Sequence, residues 1–160
     1  MRASHVLLLF LLAATTACKK TALFTRILSP QTGITFSNTI IETDSMNPLT
    51  EVNVYNGGGV GIGDFNNDGL QDIYFTGNMV ANKLYLNRGE LNFEDITSTA
   101  MVSGAHKWCR GVSVVDINND GKADIYVSVA MSPDPKQREN LLYINQGNTS
   151  NSIPVFKELA

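Results

Sequence analysis

A twelve-residue segment occurs twice in this chain, and that repetition constrains the fold more than any other feature. Gly63-Asp64-Phe65-Asn66-Asn67-Asp68-Gly69-Leu70-Gln71-Asp72-Ile73-Tyr74 returns 52 residues later as Val115-Asp116-Ile117-Asn118-Asn119-Asp120-Gly121-Lys122-Ala123-Asp124-Ile125-Tyr126. The echo continues downstream. Asn82-Lys83-Leu84-Tyr85-Leu86-Asn87-Arg88-Gly89 is answered by Asn140-Leu141-Leu142-Tyr143-Ile144-Asn145-Gln146-Gly147, and Phe93-Glu94-Asp95-Ile96 by Phe156-Lys157-Glu158-Leu159. The growing offset places an insertion around Met131 to Arg138, where Pro133 and Pro135 mark an exposed loop. Self-similarity at a period of this size means one supersecondary unit used repeatedly, each copy burying its faces against its neighbours.

Each unit reads as four short strands. Val60 to Gly63 and Val112 to Val115 lead into the polar loop, and Ile73 to Thr76 and Ile125 to Ala130 lead out of it. The Leu-Tyr-Leu/Ile-Asn runs supply a third strand, and Phe93 to Ile96 and Val155 to Leu159 a fourth. Four antiparallel strands in roughly fifty residues is the size of one propeller blade. The expected fold class is therefore all-β: two four-stranded antiparallel blades of an incomplete β-propeller, blade 1 over residues 57–104 and blade 2, cut short, over 105–160. Because propellers have roughly four to eight blades, we read the chain as the N-terminal part of a longer protein. Residues 18–56 form a lead-in with Pro30, Gly33 and Pro48 as breakers, in which Gly33 to Phe36 is a candidate short strand.

The polar loop carries the chemistry. Asp64, Asn66, Asp68 and Asp72 stand at positions 1, 3, 5 and 9, with Gly69 at position 6 and the Leu70 carbonyl at position 7. Asp116, Asn118, Asp120, Gly121, Lys122 and Asp124 repeat the pattern. Alternate residues turn oxygens toward one point, while Gly can adopt the positive φ that brings the position 7 carbonyl inward. Hard oxygen donors in a flexible loop suit Ca²⁺, and carboxylates converging without a cation repel one another. The same Asp-x-Asn-x-Asp-Gly run is also good turn chemistry through Asx hydrogen bonds, so a purely structural turn stays open. Two Ca²⁺ sites are expected, one from Asp64, Asn66, Asp68, the Leu70 carbonyl and Asp72, the other from Asp116, Asn118, Asp120, the Lys122 carbonyl and Asp124. Lys122 then contributes only its carbonyl, and its ammonium is expected to point to solvent. An EF-hand is excluded, since position 12 is Phe75 or Val127 within strand-like sequence instead of a bidentate Glu between helices.

Gly61-Ile62-Gly63-Asp64-Phe65-Asn66-Asn67-Asp68-Gly69-Leu70-Gln71-Asp72-Ile73 resembles the motif of the FG-GAP or VCBS repeat family, the calcium-loop blades of integrin α-subunit propellers and of large bacterial surface lipoproteins. The second copy is similar except that Ser113 and Val115 replace its glycines. The resemblance runs from Gly57 to the C-terminus and implies a structural calcium that fixes the hairpin between the first two strands of each blade.

Ahead of the repeats, Arg2, the apolar run Val6 to Leu12 and the small residues Ala13 to Ala17 have the layout of a secretory signal over residues 1–17. The run is shorter than the ~18 residues needed to span a bilayer. Thr15-Thr16-Ala17-Cys18 resembles a bacterial lipobox, which implies that Cys18 becomes the lipid-modified N-terminus of an exported protein held in the cell envelope, at the outer membrane or cell surface. Cys109 is then the one cysteine left, so no disulfide within this chain secures its loops.

Nothing in the chain points to catalysis. His106, Trp108, Cys109 and Arg110 lie together before the second loop, but no CxxC pair or second histidine in the mature chain accompanies them. They read as a connector in which Trp108 covers the gap between blades. Tyr74, Tyr85, Tyr126 and Tyr143 recur at matching positions and read as packing residues. The 12 basic residues are scattered through a chain of net charge −3, which argues against nucleic acid as a partner. The expected function is a non-enzymatic, lipid-anchored module that binds a protein or glycan through its loops. The alternative is the scaffold of a larger glycan hydrolase or lyase whose active site lies beyond residue 160.

Overall fold

The computed structural model describes residues 22–104, 107–132 and 134–160. The signal segment, Cys18, His106 and Pro133 lie outside the described residues. Among the described residues, eight strands form two antiparallel sheets in strict sequence order. The first comprises β1 (Val60–Gly63), β2 (Asp72–Phe75), β3 (Lys83–Asn87) and β4 (Phe93–Asp95). The second comprises β5 (Trp108–Val115), β6 (Asp124–Ala130), β7 (Leu141–Asn148) and β8 (Pro154–Glu158). The repeat extends to the register. Gly63 pairs with Asp72 and Val115 with Asp124, so each polar loop closes the first hairpin of its sheet. Ile73 opposes Tyr85 as Ile125 opposes Tyr143, and Tyr74 opposes Leu84 as Tyr126 opposes Leu142.

As expected, the second unit has a fourth strand: β8 runs to Glu158 and pairs with β7 through Phe156 and Glu158. One sequence expectation is corrected at the second sheet: Trp108, Cys109 and Arg110 are not a connector. They open β5, where Trp108 pairs with Ala130 and Cys109 with Val129 ahead of a bulge before Val112. The longer β6 offers partners beyond Val127, and Gly111 within the bulge donates its amide to Ser128 Oγ at 2.9 Å.

The core lies between the sheets. Tyr74, Leu84 and Leu86 of the first meet Cys109, Ile125, Val127, Tyr143 and Phe156 of the second, all buried. Glycines in β1 permit this approach. A Cβ on Gly61 would stand 2.9 Å from Val114 Cγ2 and one on Gly63 2.8 Å from Val114 Cγ1, so only a bare backbone lets β5 lie this close. At the equivalent positions of β5, Ser113 and Val115 face outward and are exposed.

Polar ties secure the tyrosines in the same way in both blades. Asn82 Nδ2 donates to Tyr74 Oη at 2.9 Å and Asn140 Nδ2 to Tyr126 Oη at 2.7 Å. Their Oδ1 atoms accept the amides of Gly77 and Val129, both at 2.9 Å. Tyr74, Tyr85 and Tyr143 are buried, as packing residues should be, whereas Tyr126 is 37% exposed because nothing covers its side of the second sheet among the described residues. Burial pushes the Cys109 thiol above its ordinary range, which suits a packing role and not a nucleophile.

The lead-in forms a single helical turn, α1 (Ser29–Thr32), capped by Gly33 at φ +77°. Gly33 to Phe36 joins no sheet, contrary to the strand reading. Instead it lies on the face of the first sheet turned away from the second. Phe36 stacks on Phe75 with ring centroids 5.0 Å apart, and the Thr35 amide donates to Tyr85 Oη at 3.2 Å. Asn38 Nδ2 donates to Asn78 Oδ1 at 2.6 Å, and Asn78 Nδ2 in turn donates to the Cys109 carbonyl at 2.9 Å. One side-chain chain thus ties lead-in, first blade and second blade together. A second turn, α2 (Thr97–Ala100), follows β4 and buries Thr97 and Ala100.

Candidate functional site

The two polar loops have the same internal architecture. In the first, the amides of Asp68 and Gly69 donate to the two Asp64 oxygens at 3.1 and 2.8 Å. The Leu70 amide donates to Asp68 Oδ1 at 2.8 Å, and Asn66 Nδ2 to Asp68 Oδ2 at 2.9 Å. The second loop copies each bond. Asp120 and Gly121 donate to Asp116 at 3.0 and 2.8 Å, Lys122 N to Asp120 Oδ1 at 3.0 Å, and Asn118 Nδ2 to Asp120 Oδ2 at 3.1 Å. Positive φ angles at Asn67 (57°) and Gly69 (88°), matched by Asn119 (58°) and Gly121 (80°), turn these amides inward.

The ninth-position aspartates play a different part from the other three. Asp72 is fully buried, with Oδ2 accepting the Phe65 amide at 2.9 Å and Oδ1 the Asn87 amide at 2.8 Å. Asp124 does the same for Ile117 at 2.9 Å and Asn145 at 2.8 Å. Each therefore binds its loop to the third strand of its own sheet. Burial pushes the Asp72 carboxyl up to about 6 against the lowering effect of those two amides, and the negative charges of Asp68 and Asp64 add to the rise. The three carboxylates of the first loop are thus within electrostatic reach of one another.

The ten expected metal-site residues group as two loops, each hydrogen-bonded within itself. Among the described residues, no three His, Cys, Asp or Glu side chains already stand close enough to hold a metal ion. The donor chemistry nevertheless fits a hard divalent cation, since every side chain offered is a carboxylate or an amide. Lys122 departs from the sequence expectation. Its ammonium does not point to solvent but donates to Asp120 Oδ2 at 2.9 Å and holds that carboxyl below its usual range. A positive charge is drawn to the loop even from the protein's own side chains.

Two features escaped the sequence because they join residues from different units. First, the loop of blade 1 is clamped by blade 2. Phe65 O accepts Asn145 Nδ2 at 2.8 Å, Asn66 O accepts Asn148 Nδ2 at 2.7 Å, and Asn66 Nδ2 donates to the Ser152 carbonyl at 3.2 Å. The loops themselves touch, through Asn67 Nδ2 donating to the Gly121 carbonyl at 3.2 Å. Second, an open cleft of about 510 Å³ lies between the β2–β3 connection and the ends of β5 and β6, lined in part by Met79, Lys107, Trp108 and Met131. Trp108 is 7% exposed there, and its Nε1 is buried with no hydrogen-bond partner among the described residues.

Comparison with known proteins agrees with this architecture. The FG-GAP-like repeat family matches residues 64–127, and the FG-GAP repeat family matches residues 110–145. Among curated proteins the chain is similar to cartilage acidic protein 1 of Xenopus tropicalis, 33% identical over 96 residues that cover 59% of this chain and 15% of that protein. The Homo sapiens protein of the same name is 39% identical over 75 residues, which cover 46% of this chain and 11% of that one. The chain thus spans a small part of the length of the relatives it matches.

Proposed function

We propose, on the strength of the FG-GAP-like repeat match over residues 64–127 and the FG-GAP repeat match over residues 110–145, that the chain is a non-catalytic ligand-binding or adhesion module whose blades are stiffened by Ca²⁺ in the two polar loops. What most supports this reading is the bond-for-bond identity of the loops. Two segments that differ at position 2, 7 and 8 keep the same acceptors at 1, 3, 5 and 9, which are the positions a cation would use. Asp64, Asn66, Asp68 and Asp72 would hold one ion, Asp116, Asn118, Asp120 and Asp124 the other, with the Leu70 and Lys122 carbonyls completing each set. Bound calcium supplies positive charge where carboxylates crowd, favouring the ionised form that burial disfavours at Asp72. The protein's own groups do the rest: Asp72 and Asp124 hold each loop to its sheet, and Asn145 and Asn148 hold the first loop to the second blade. A protein or glycan ligand would then meet a rigid rim of loops.

Calorimetric titration tests the metal reading. Two ions are expected at affinities near ~10⁻⁴ M, typical of extracellular modules, so that millimolar calcium stabilises each loop by about 1.4 kcal/mol. Asp68→Ala and Asp120→Ala should each remove one ion. A stoichiometry of zero for the wild type would leave the loops as turns.

The same proposal places the module outside the cell, anchored through lipid on Cys18. No helix among the described residues is long and apolar enough to cross a membrane. Intact-mass analysis of membrane-extracted protein should find Cys18 as a diacylated N-terminus. An unmodified Cys18 in that extract would remove the anchor from the proposal.

A further inference from the structure

The two loops share every backbone bond yet differ in one charge, at position 7. Lys122 in the second loop places its ammonium 2.9 Å from Asp120 Oδ2, one of the oxygens expected to meet a cation. The stem passes beside Gly147 at the bend in β7, where an added Cβ would stand 3.6 Å from Lys122 Cε. The first loop has Leu70 at this position, 37% exposed, and among the described residues Asp68 Oδ2 receives only the Asn66 amide. We infer that Lys122 is a built-in competitor for the second loop, so that the two loops bind divalent cations with unequal affinity and the first fills before the second. The inference rests on the calcium reading above.

The physical argument has two parts. A cation reaching Asp120 must displace the ammonium or share the carboxylate with it, whereas no such displacement is required at Asp68. In addition, a divalent ion beside a fixed positive charge is repelled, and the repulsion falls off only over a Debye length of roughly 8 Å at physiological salt. The pair is partly exposed, with side-chain exposures of 35% for Lys122 and 32% for Asp120, so solvent screens it and the penalty stays modest. The expected difference between the loops is on the order of tenfold in affinity. The consequence is a graded response. Over an intermediate range of calcium the first loop, clamped to the second blade by Asn145, Asn148 and Ser152, is occupied while the second is still held by its own lysine.

The amides of Gly69 and Gly121 place one reporter in each loop, because each donates to the first aspartate of its own loop. The test is a calcium titration of the full chain followed by the ¹⁵N–¹H resonances of these two glycines. In wild type, Gly69 should saturate at about tenfold lower calcium than Gly121. Lys122→Met keeps the stem and removes the charge, and should move the Gly121 curve toward that of Gly69, leaving Gly69 in place. Lys122→Arg keeps the charge and should leave Gly121 near its wild-type midpoint. Leu70→Lys should shift Gly69 to higher calcium. Coincident wild-type curves that Lys122→Met does not separate or move would overturn the inference while leaving calcium binding intact. Resonances that ignore calcium at every concentration would overturn the calcium reading and this inference together.

Discussion

Truncation of Phe65 to alanine is expected to destabilise the protein by about 3–5 kcal/mol, whereas the same truncation at its repeat counterpart, Ile117, should change stability by less than about 0.5 kcal/mol. Both residues occupy position 2 of their loops. Phe65, however, is only 2% exposed, and its ring meets Phe156 of the second blade edge to face with centroids 6.0 Å apart. Ile117 is 51% exposed. Removing Phe65 therefore opens a cavity in the seam between the blades and loosens the loop whose carbonyl accepts Asn145. Urea melts followed by Trp108 fluorescence measure the difference. Should Phe65→Ala fail to fold, Phe65→Leu keeps most of the volume and should cost less than about 1.5 kcal/mol. Equal losses at 65 and 117 would show that the seam does not hold the blades together.

Asp72→Ala is expected to cost about 2–5 kcal/mol even with calcium removed by EDTA, because it strands two buried amides, those of Phe65 and Asn87. Asp68→Ala is the control. Asp68 is exposed and its bonds lie within the loop, so in EDTA its loss should stay within about 1 kcal/mol. The two variants should converge only in their effect on calcium binding, since both remove an expected ligand. Thermal melts with and without chelator separate the roles. If Asp72→Ala matches wild type in EDTA and differs only with calcium present, the buried carboxylate is a ligand and not a strut.

Why the sequence could carry one set of these conclusions and not the other is visible at particular residues. Hairpin closure is local: Gly63 opposite Asp72 and Val115 opposite Asp124 follow from a nine-residue spacing and turn residues able to take positive φ. The strand registers repeat because the Ile-Tyr and Leu-Tyr runs alternate faces with period two, a property of the backbone that needs no partner. The lead-in shows the opposite case. Gly33 to Phe36 has strand-like composition, yet its outcome depended on an aromatic surface, Phe75 and Tyr85, assembled some forty residues away. Trp108 to Arg110 reads as a connector from sequence because a bulge separates these residues from Val112 to Val115 and breaks the strand alternation, although Ile125 to Ala130 is long enough to pair with them.

The sequence by itself determined the repeat, the four-stranded unit and the loop positions offered to a cation, since all of these are set by residue type at short range. Tertiary structure alone decided which equivalent positions differ. Phe65 is buried and Ile117 is not, Gly61 receives Val114 while Ser113 faces outward, and Asn66 is clamped while Asn118 is exposed. The reason is that the two copies have different surroundings: one face of the first blade is covered by the second, whereas the outward face of the second has no neighbour among the described residues, and burial is a property of neighbours that no repeated motif contains.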